Sequence, residues 1–415
     1  MRYLRYTLVA ILLASLWFVV AFYGGLVGWW LSANAPKDDN EAFFHYASET
    51  IDKGNNGDLA FVMIDNGEVY NSVYRGAENQ PDETTSFPVA SLSKWITAYG
   101  VMTLLQERNI SPDTPVAELI ERWQLPESGF DNSKVTVARL LSHTAGLTDG
   151  LGFADLPAEE TLPPLLASLN NPKASSGEDV KISVGIEPGS EWKYSGGGYL
   201  LLQLLVEDVS GQPFAEYMQQ HIFSPIGMTS SGYEYLANQQ NAATMYDEQG
   251  APAPYYQYAS AGATGLSSSA ADLIRFVQAN LPTASSAPLE FDNVEAMRAP
   301  HGHKMGADIW GLGTMLYAPT ASGSFVYGHD GSNEPAINSA VRINPDNGDA
   351  LIVLASGNKL LASQLGYEWT LWQTGYPDFL FLDKALDSAV LPFAVGLFVL
   401  IAILVIVFVR RKSPR

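Results

Sequence analysis

Apolar and polar positions divide the chain into three regimes. Thr7 to Leu31 runs for 25 residues without a charge, and Ser388 to Val409 for 22. A membrane-crossing helix needs about 20 predominantly apolar residues, so each stretch is long enough to span. Arg2 and Arg5 precede the first, and Trp29 and Trp30 close it as interfacial aromatics would. Arg410-Arg411-Lys412-Ser413-Pro414-Arg415 follows the second, and the bias of basic residues to the cytoplasm places that tail inside. A cleaved secretory signal is the other reading of the N-terminal stretch, because Ala33-Asn34-Ala35 has the small-residue spacing of a cleavage site. The expected organisation is an anchor (or signal) at 1–31, an external domain at 32–387, a second span at 388–409 and a cytoplasmic tail at 410–415. The location this implies is the inner membrane of a bacterium, with the external domain on the periplasmic or extracellular side.

Between the apolar ends the pattern changes. Leu59 to Ile64 is an apolar run, Asp65-Asn66-Gly67 is a turn signal, and Glu68 to Arg75 resumes as a second strand. Gly311 to Tyr317, Ser324 to Gly328, Asn338 to Asn344 and Asp349 to Ser356 also read as strands, the last two joined by Pro345-Asp346-Asn347-Gly348. Leu360 to Gln373 fits a closing helix. The middle carries helical periodicity instead, over Trp95 to Arg108, Pro112 to Gln124, Thr136 to Ser142, Gly198 to Val209, Pro213 to His221 and Ala270 to Asn280. Strands at both ends with helices between them predict an α+β fold. Its antiparallel sheet would be built from both chain ends, flanked by helices and interrupted by a large helical insertion, with a transmembrane helix at each terminus.

Composition narrows the chemistry. The 415 residues include no cysteine, which excludes disulfides, thiolate nucleophiles and cysteine-ligated zinc. The net charge of −21 argues against nucleic acid as a partner, since phosphates need Lys and Arg to neutralise them. His301-Gly302-His303 has metal-like spacing but no carboxylate partner at ligand distance in sequence, and reads as a solvated loop; no metal or cofactor is expected.

Ser91-Leu92-Ser93-Lys94 is the candidate reactive segment. Residues three apart share a helix face, so the Ser91 hydroxyl and the Lys94 amine can point into one cleft. Serine is a weak nucleophile until a neighbour takes its proton. Lysine can do so once burial or nearby positive charge brings its pKa from ~10.4 towards neutrality. The same spacing recurs at Ser190/Lys193 and Ser356/Lys359. Only Ser91 lies where an extended approach, Thr84 to Ala90, turns into an apolar helix.

Together with further segments, this motif resembles the class C β-lactamase and penicillin-binding-protein group of serine hydrolases, which includes D-alanyl-D-alanine carboxypeptidases, D-aminopeptidases and esterases. Phe87 to Lys94 resembles the group's nucleophile motif, Leu140 to Leu147 its signature after the first helices, Tyr194 to Tyr199 its tyrosine motif, and Gly328-His329-Asp330-Gly331 its third active-site motif. Ile222 to Met228 and Ala261 to Leu266 resemble two further stretches, and the likeness spans about Phe43 to Gln373. The resemblance implies that Ser91 attacks a carbonyl, Lys94 activates it, and Tyr194 shares a proton with Lys94 and protonates the leaving group. It implies an oxyanion hole from the backbone amides of Ser91 and Ser332, and substrate contacts at Gly196, His329 and Gly331. Two departures stand out: Gly196 replaces an asparagine usual in the group, and His329 stands where many relatives carry lysine. The expected activity is a membrane-anchored serine hydrolase acting through an acyl-enzyme on an ester, amide or D-amino-acid peptide bond of a small molecule or peptide. The alternative is a catalytically silent protein that uses the cleft to hold a cell-wall peptide or a membrane partner. His143 reads as structural, and Asp330 either orients His329 or faces water.

Overall fold

The computed structural model describes residues 2–78, 80–150, 155–174, 177–284 and 286–412. It forms two compact units, one of Asn40–Gly366 and one of Met1–Asp39 with Tyr367–Arg415.

The larger unit is organised on an eight-stranded sheet. Its strands are β1 (Leu59–Asp65), β2 (Glu68–Arg75), β3 (Gly302–Lys304), β4 (Ala307–Trp310), β5 (Met315–Pro319), β6 (Phe325–Asn333), β7 (Ile337–Asn344) and β8 (Asp349–Ser356). They lie in the order β2-β1-β8-β7-β6-β5-β4-β3, and every neighbour pair is antiparallel. The sheet is thus assembled from both ends of the sequence, as the strand pattern predicts. Leu59 to Ile64 of β1 and Ala350 to Ser356 of β8 are buried at every position. Such strands read as continuous apolar runs, with no alternation, because structure covers both of their faces.

Residues 76–300 form the insertion. Helix α1 (Arg2–Leu26) lies outside this unit and α2 (Asn40–Gly54) precedes the sheet; the insertion holds α3 (Ser93–Arg108), α4 (Gly196–Ser210) and α5 (Ala270–Ala279). From Ser93 to Leu105 every residue of α3 is buried, the pattern of a helix surrounded by core. Trp95 meets Phe276 of α5 and Tyr327 of β6 edge-on, at ring distances of 4.9 and 5.8 Å.

Three expectations are corrected. Pro112 to Gln124 holds only a 3-10 turn at Val116–Glu118. Pro115 biases Thr114 towards extended backbone, and the segment instead bridges Thr136, with Val116 N–H donating to Val135 O at 2.8 Å. The strand expected from Gly311 begins only at Met315, because the chain first turns at Gly313. Its φ is +83°, and a Cβ there would lie 2.1 Å from Ala98 Cβ of α3. His301-Gly302-His303 leads into the edge strand β3, where the exposed His303 pairs with Asp308 at 2.6 Å.

The smaller unit contains α1, the C-terminal part of α6 (Leu361–Thr374) and α7 (Leu382–Lys412). Among the described residues, two segments are long and apolar enough to cross a membrane, Tyr6–Leu26 and Phe379–Val407. They pack together: Trp17 Nε1 donates to Pro392 O and Phe393 O at 3.3 Å. The indole occupies the place a side chain on Gly396 would take, 2.0 Å from its ideal Cβ. Around the candidate cleavage site, Ala35 is buried, Asn34 donates to Glu368 at 2.6 Å, and Trp372 donates to Pro36 O at 2.7 Å. Residues 413–415 of the basic tail lie outside the described residues.

Candidate active site

The chain approaches Ser91 through a two-residue strand, Phe87–Pro88, paired with Ser267–Ser268. Ala90 then adopts a φ of +48°, a conformation that costs a non-glycine residue about 1–3 kcal/mol. Its neighbours hold it there. Ser93 Oγ donates to Ala90 O at 2.6 Å and accepts from Leu266 N at 3.1 Å, and Ser339 Oγ donates to Val89 O at 2.7 Å. A 3-10 turn, Ala90–Leu92, leads straight into α3. Ser91 therefore sits half-exposed on a braced turn, at the mouth of a buried helix.

One helical turn on, Lys94 is completely buried. Its Nζ lies 3.2 Å from Ser91 Oγ and donates to Ala263 O at 2.9 Å, with the rings of Tyr194 and Tyr199 at 4.9 and 5.7 Å. Burial lowers the Lys94 ammonium to a pKa of about 7, while the charge of Asp149 opposes the shift. Near neutral pH much of this amine is unprotonated and can accept a proton. Tyr194 OH donates to Ser91 Oγ at 3.0 Å. Burial pushes the phenol up and its hydrogen bond to Ser91 partly opposes, so Tyr194 retains its proton. Lys94, one turn from Ser91, and Tyr194, 103 residues from it along the chain, thus meet at the Ser91 oxygen. The other two Ser-x-x-Lys pairs are engaged elsewhere: Ser190 donates to Glu187 O, Ser356 donates to Thr244 O, and Lys359 pairs with Glu334.

Strand β6 forms the opposite wall. Alternate residues of a strand share a face. Gly331 packs against the nucleophile turn, where a Cβ would lie 2.2 Å from Val89 O and 3.0 Å from Ser91 N. Only glycine allows this approach, and the exposed Ser332 follows directly. Gly331→Ala is expected to push β6 away from Ser91 and slow acylation by about 100-fold, the scale set by a 1 Å misplacement, as read by fluorophosphonate labelling rates.

His329 is buried beside Lys94, and its pKa falls to about 3, first through burial and then through the Lys94 charge. It is a neutral group at physiological pH. Nδ1 donates to Asp330 O at 2.6 Å, which leaves Nε2 as a buried acceptor without a partner among the described residues. Asp330 therefore does help orient His329, but through its backbone carbonyl. Its carboxylate points to the other face, taking Arg342 Nη1 at 2.5 Å and Tyr317 OH at 2.8 Å.

Gly196 is the first residue of α4, and the loop at 143–150 grips the segment before it. Lys193 N–H donates to His143 O at 2.8 Å, Ser195 N–H to His143 Nδ1 at 3.1 Å, and the His143 ring lies on Tyr194 with centroids 4.3 Å apart. His143 itself has a φ of +58°. Sequence reasoning gave it a structural role without its contact to Tyr194, and it passed over the Ala263 carbonyl, Asp149 and Trp310, whose ring meets those of His143, Tyr194 and His329 at 4.8, 5.7 and 5.3 Å. A backbone carbonyl leaves no residue-type signal; His143 and Asp149 lie within or beside the Leu140–Leu147 signature, where attention to polar residues could have found them.

A family model described as Beta-lactamase matches residues 44–372. Penicillin-binding protein 4* of Bacillus subtilis (strain 168) is 34% identical over 162 residues, covering 37% of this chain and 32% of that protein. Protein flp of Staphylococcus aureus (strain N315) is 24% identical over 207 residues, 48% of this chain and 40% of that protein. The chain thus spans well under half the length of these relatives. Among solved structures, a Beta-Lactamase/D-Alanine Carboxypeptidase from Pseudomonas syringae superposes with a TM-score of 0.63 at 19% identity, covering 79% of this chain and 97% of that one. That likeness is one of fold.

Proposed function

The chain belongs to the beta-lactamase family of serine hydrolases, and from that premise we propose that it is a membrane-tethered hydrolase that cleaves an ester, amide or D-amino-acid peptide bond through an acyl-enzyme at Ser91. The observation that supports this most is the convergence of Lys94 Nζ and Tyr194 OH on Ser91 Oγ, at 3.2 and 3.0 Å.

Ser91 Oγ bonds to the substrate carbonyl carbon and its proton passes to the unprotonated Lys94 amine. The hydrogen bond to Ala263 O occupies one amine hydrogen and directs the lone pair to Ser91. The oxyanion that forms is met by the backbone amides of Ser91 and Ser332. Collapse breaks the bond to the leaving group, which takes the Tyr194 proton, and Lys94 returns a proton to the phenolate. Water then attacks the acyl carbon and gives a proton to the same pair; the bond from that carbon to Ser91 Oγ breaks, Oγ takes the proton back, and the carboxylic acid leaves. Neutral His329 and the side-chain-free Gly196 offer substrate no cation and no amide, which favours esters and amides over carboxylate-terminated peptides and β-lactams.

α1 and α7 are the tethers, placing both ends in the cytoplasm and residues 32–387 outside, at the inner membrane of a bacterium. The burial of Ala35 and the bonds at Asn34 and Pro36 favour retention of α1 over cleavage.

The test is a fluorophosphonate reaction on the full chain in detergent, followed by peptide mass mapping. A single adduct on the peptide carrying Ser91 is expected. A folded protein with no adduct, or one modified elsewhere, overturns the reading in favour of a silent binding protein.

A further inference from the structure

Asp149 stands behind both proton carriers and touches neither. It is buried, 5% exposed. Oδ1 accepts from Ser195 Oγ at 2.5 Å and Oδ2 from Gly197 N–H at 2.8 Å. Ser195 Oγ in turn caps α4 by accepting from Gly198 N–H at 2.9 Å. A carboxylate at the start of a 15-residue helix is favoured by the unpaired amides and the helix dipole there. The run Gly196-Gly197-Gly198 makes room for it, since a Cβ on Gly197 would lie 3.0 Å from Asp149 Cγ and 2.7 Å from Ile182 Cγ1. Ser195 is the residue after Tyr194, so the grip on Ser195 fixes where the phenol lies. The same carboxylate acts on Lys94 through its charge.

We propose that Asp149 is a positioning residue that couples the two proton carriers, seating Tyr194 through its grip on Ser195 and Gly197 and placing a buried carboxylate behind Lys94. The regulation of acylation by pH is then set outside the reacting trio. This rests on the serine-hydrolase reading for its catalytic consequence, though not for its electrostatics.

The groups facing Lys94 are Tyr194, Tyr199, His143, His329 and Asp149. Burial keeps both tyrosines protonated and holds both imidazoles neutral at physiological pH, His143 well below the usual histidine range. Asp149 is the group whose charge holds the ammonium up against burial. Its own carboxyl is raised by burial, with the Ser195 and Gly197 hydrogen bonds opposing.

The experiment compares wild type, Asp149→Asn and Ser195→Ala. Two readouts are taken on the full chain in detergent: the pH dependence of the fluorophosphonate acylation rate, and a titration of Lys94 by NMR on 13Cε-lysine-labelled protein. In Asp149→Asn the Lys94 midpoint and the acid limb of acylation are expected to move to lower pH together, and the plateau rate to fall by about tenfold or more. Ser195→Ala keeps the charge and loses the grip, so the plateau falls while the limb stays. An Asp149→Asn protein with a lower plateau but an unmoved Lys94 midpoint reduces Asp149 to a helix cap and overturns the proposal. Should Asp149→Asn fail to fold, a Ser195→Ala protein with a wild-type plateau overturns it. A wild type that is never acylated sinks the hydrolase reading alone, because the NMR titration still decides whether Asp149 holds the Lys94 proton.

Discussion

Hydrolysis of any ester the protein turns over is expected to disappear in Ser91→Ala and to fall by about 10²–10⁴ in Lys94→Met, the range a positioned general base contributes. Methionine keeps the length and apolar stem of lysine and removes only the amine, so the loss reports proton transfer. In wild type, kcat/KM should rise with pH through about 7, as Lys94 loses its proton, and then level off. The acid limb should be missing from the residual activity of Lys94→Met. A limb that persists there would mean that another group titrates. Stability should rise with pH as well, over a higher window. The folded-state pKa of Lys94 lies below its ordinary value of 10.5, so between pH 7 and 10.5 the unfolded chain binds more protons, and stability rises with pH across that window. At pH 7 and below, the buried ammonium is a burden. Lys94→Met should therefore be more stable by about 1–3 kcal/mol, scaled from replacements of buried charges by apolar residues, and melt at higher temperature. Lost activity with raised stability is the signature of a residue kept for chemistry.

Asp330→Ala should be the most destabilising single change near the site. Arg342 is fully buried, its guanidinium 3.8 Å from the centre of the Tyr317 ring. It fills the space beside Gly366, where a Cβ would lie 2.3 Å from Nη1. Removing the carboxylate takes from the buried Arg342 its ion-pair partner and from Tyr317 its acceptor at 2.8 Å, at a cost of about 3–5 kcal/mol. Pairing Asp330→Leu with Arg342→Met should restore most of that, since neither charge is then left alone. Urea unfolding of wild type, Asp330→Leu, Arg342→Met and the double replacement measures the coupling, with Asp330→Ala beside them. If the double replacement were as unstable as Asp330→Ala, packing at position 330 would be responsible and the ion pair would not. Because His329 and Gly331 flank Asp330 on the same strand, a loosened β6 should also slow acylation.

The candidate residues Ser91, Lys94 and Tyr194, which the structure brings together, could be singled out because the proposed chemistry is carried by residue type and order. Ser91 stands at a change of pattern, from extended to helical, and that junction separated it from Ser190 and Ser356. What was not legible is whatever depends on the third dimension. The Pro112–Gln124 segment has helical spacing, yet its backbone bonds go to Val135 and its neighbours, a competition that local pattern does not register. Helix α2 went unread although Phe43, Ala47 and Ile51 recur every four residues and are buried, because His45, Ser48, Glu49 and Thr50 between them make the segment read as polar. Asp330 resisted for a different reason. Strand alternation puts its side chain on the face away from Ser91, and the partner there, Arg342, stands opposite Gly328, two residues along β7 from Ala340, the residue directly opposite Asp330.

The sheet order carries a consequence for how the protein is made. β1 pairs Leu59 with Ala355 of β8, and the nucleophile turn is braced by Ser339 of β7. Contacts so far apart in sequence close late and slowly. During synthesis, Ser91, Lys94 and Tyr194 have all been translated while the strands that seat them are still absent. The emerging chain holds an unfilled edge beside β1 until its last strands arrive, the kind of intermediate prone to aggregate. A product truncated before residue 337 would carry the whole reactive trio and have no active site, so catalytic competence would itself report that translation reached the final strands.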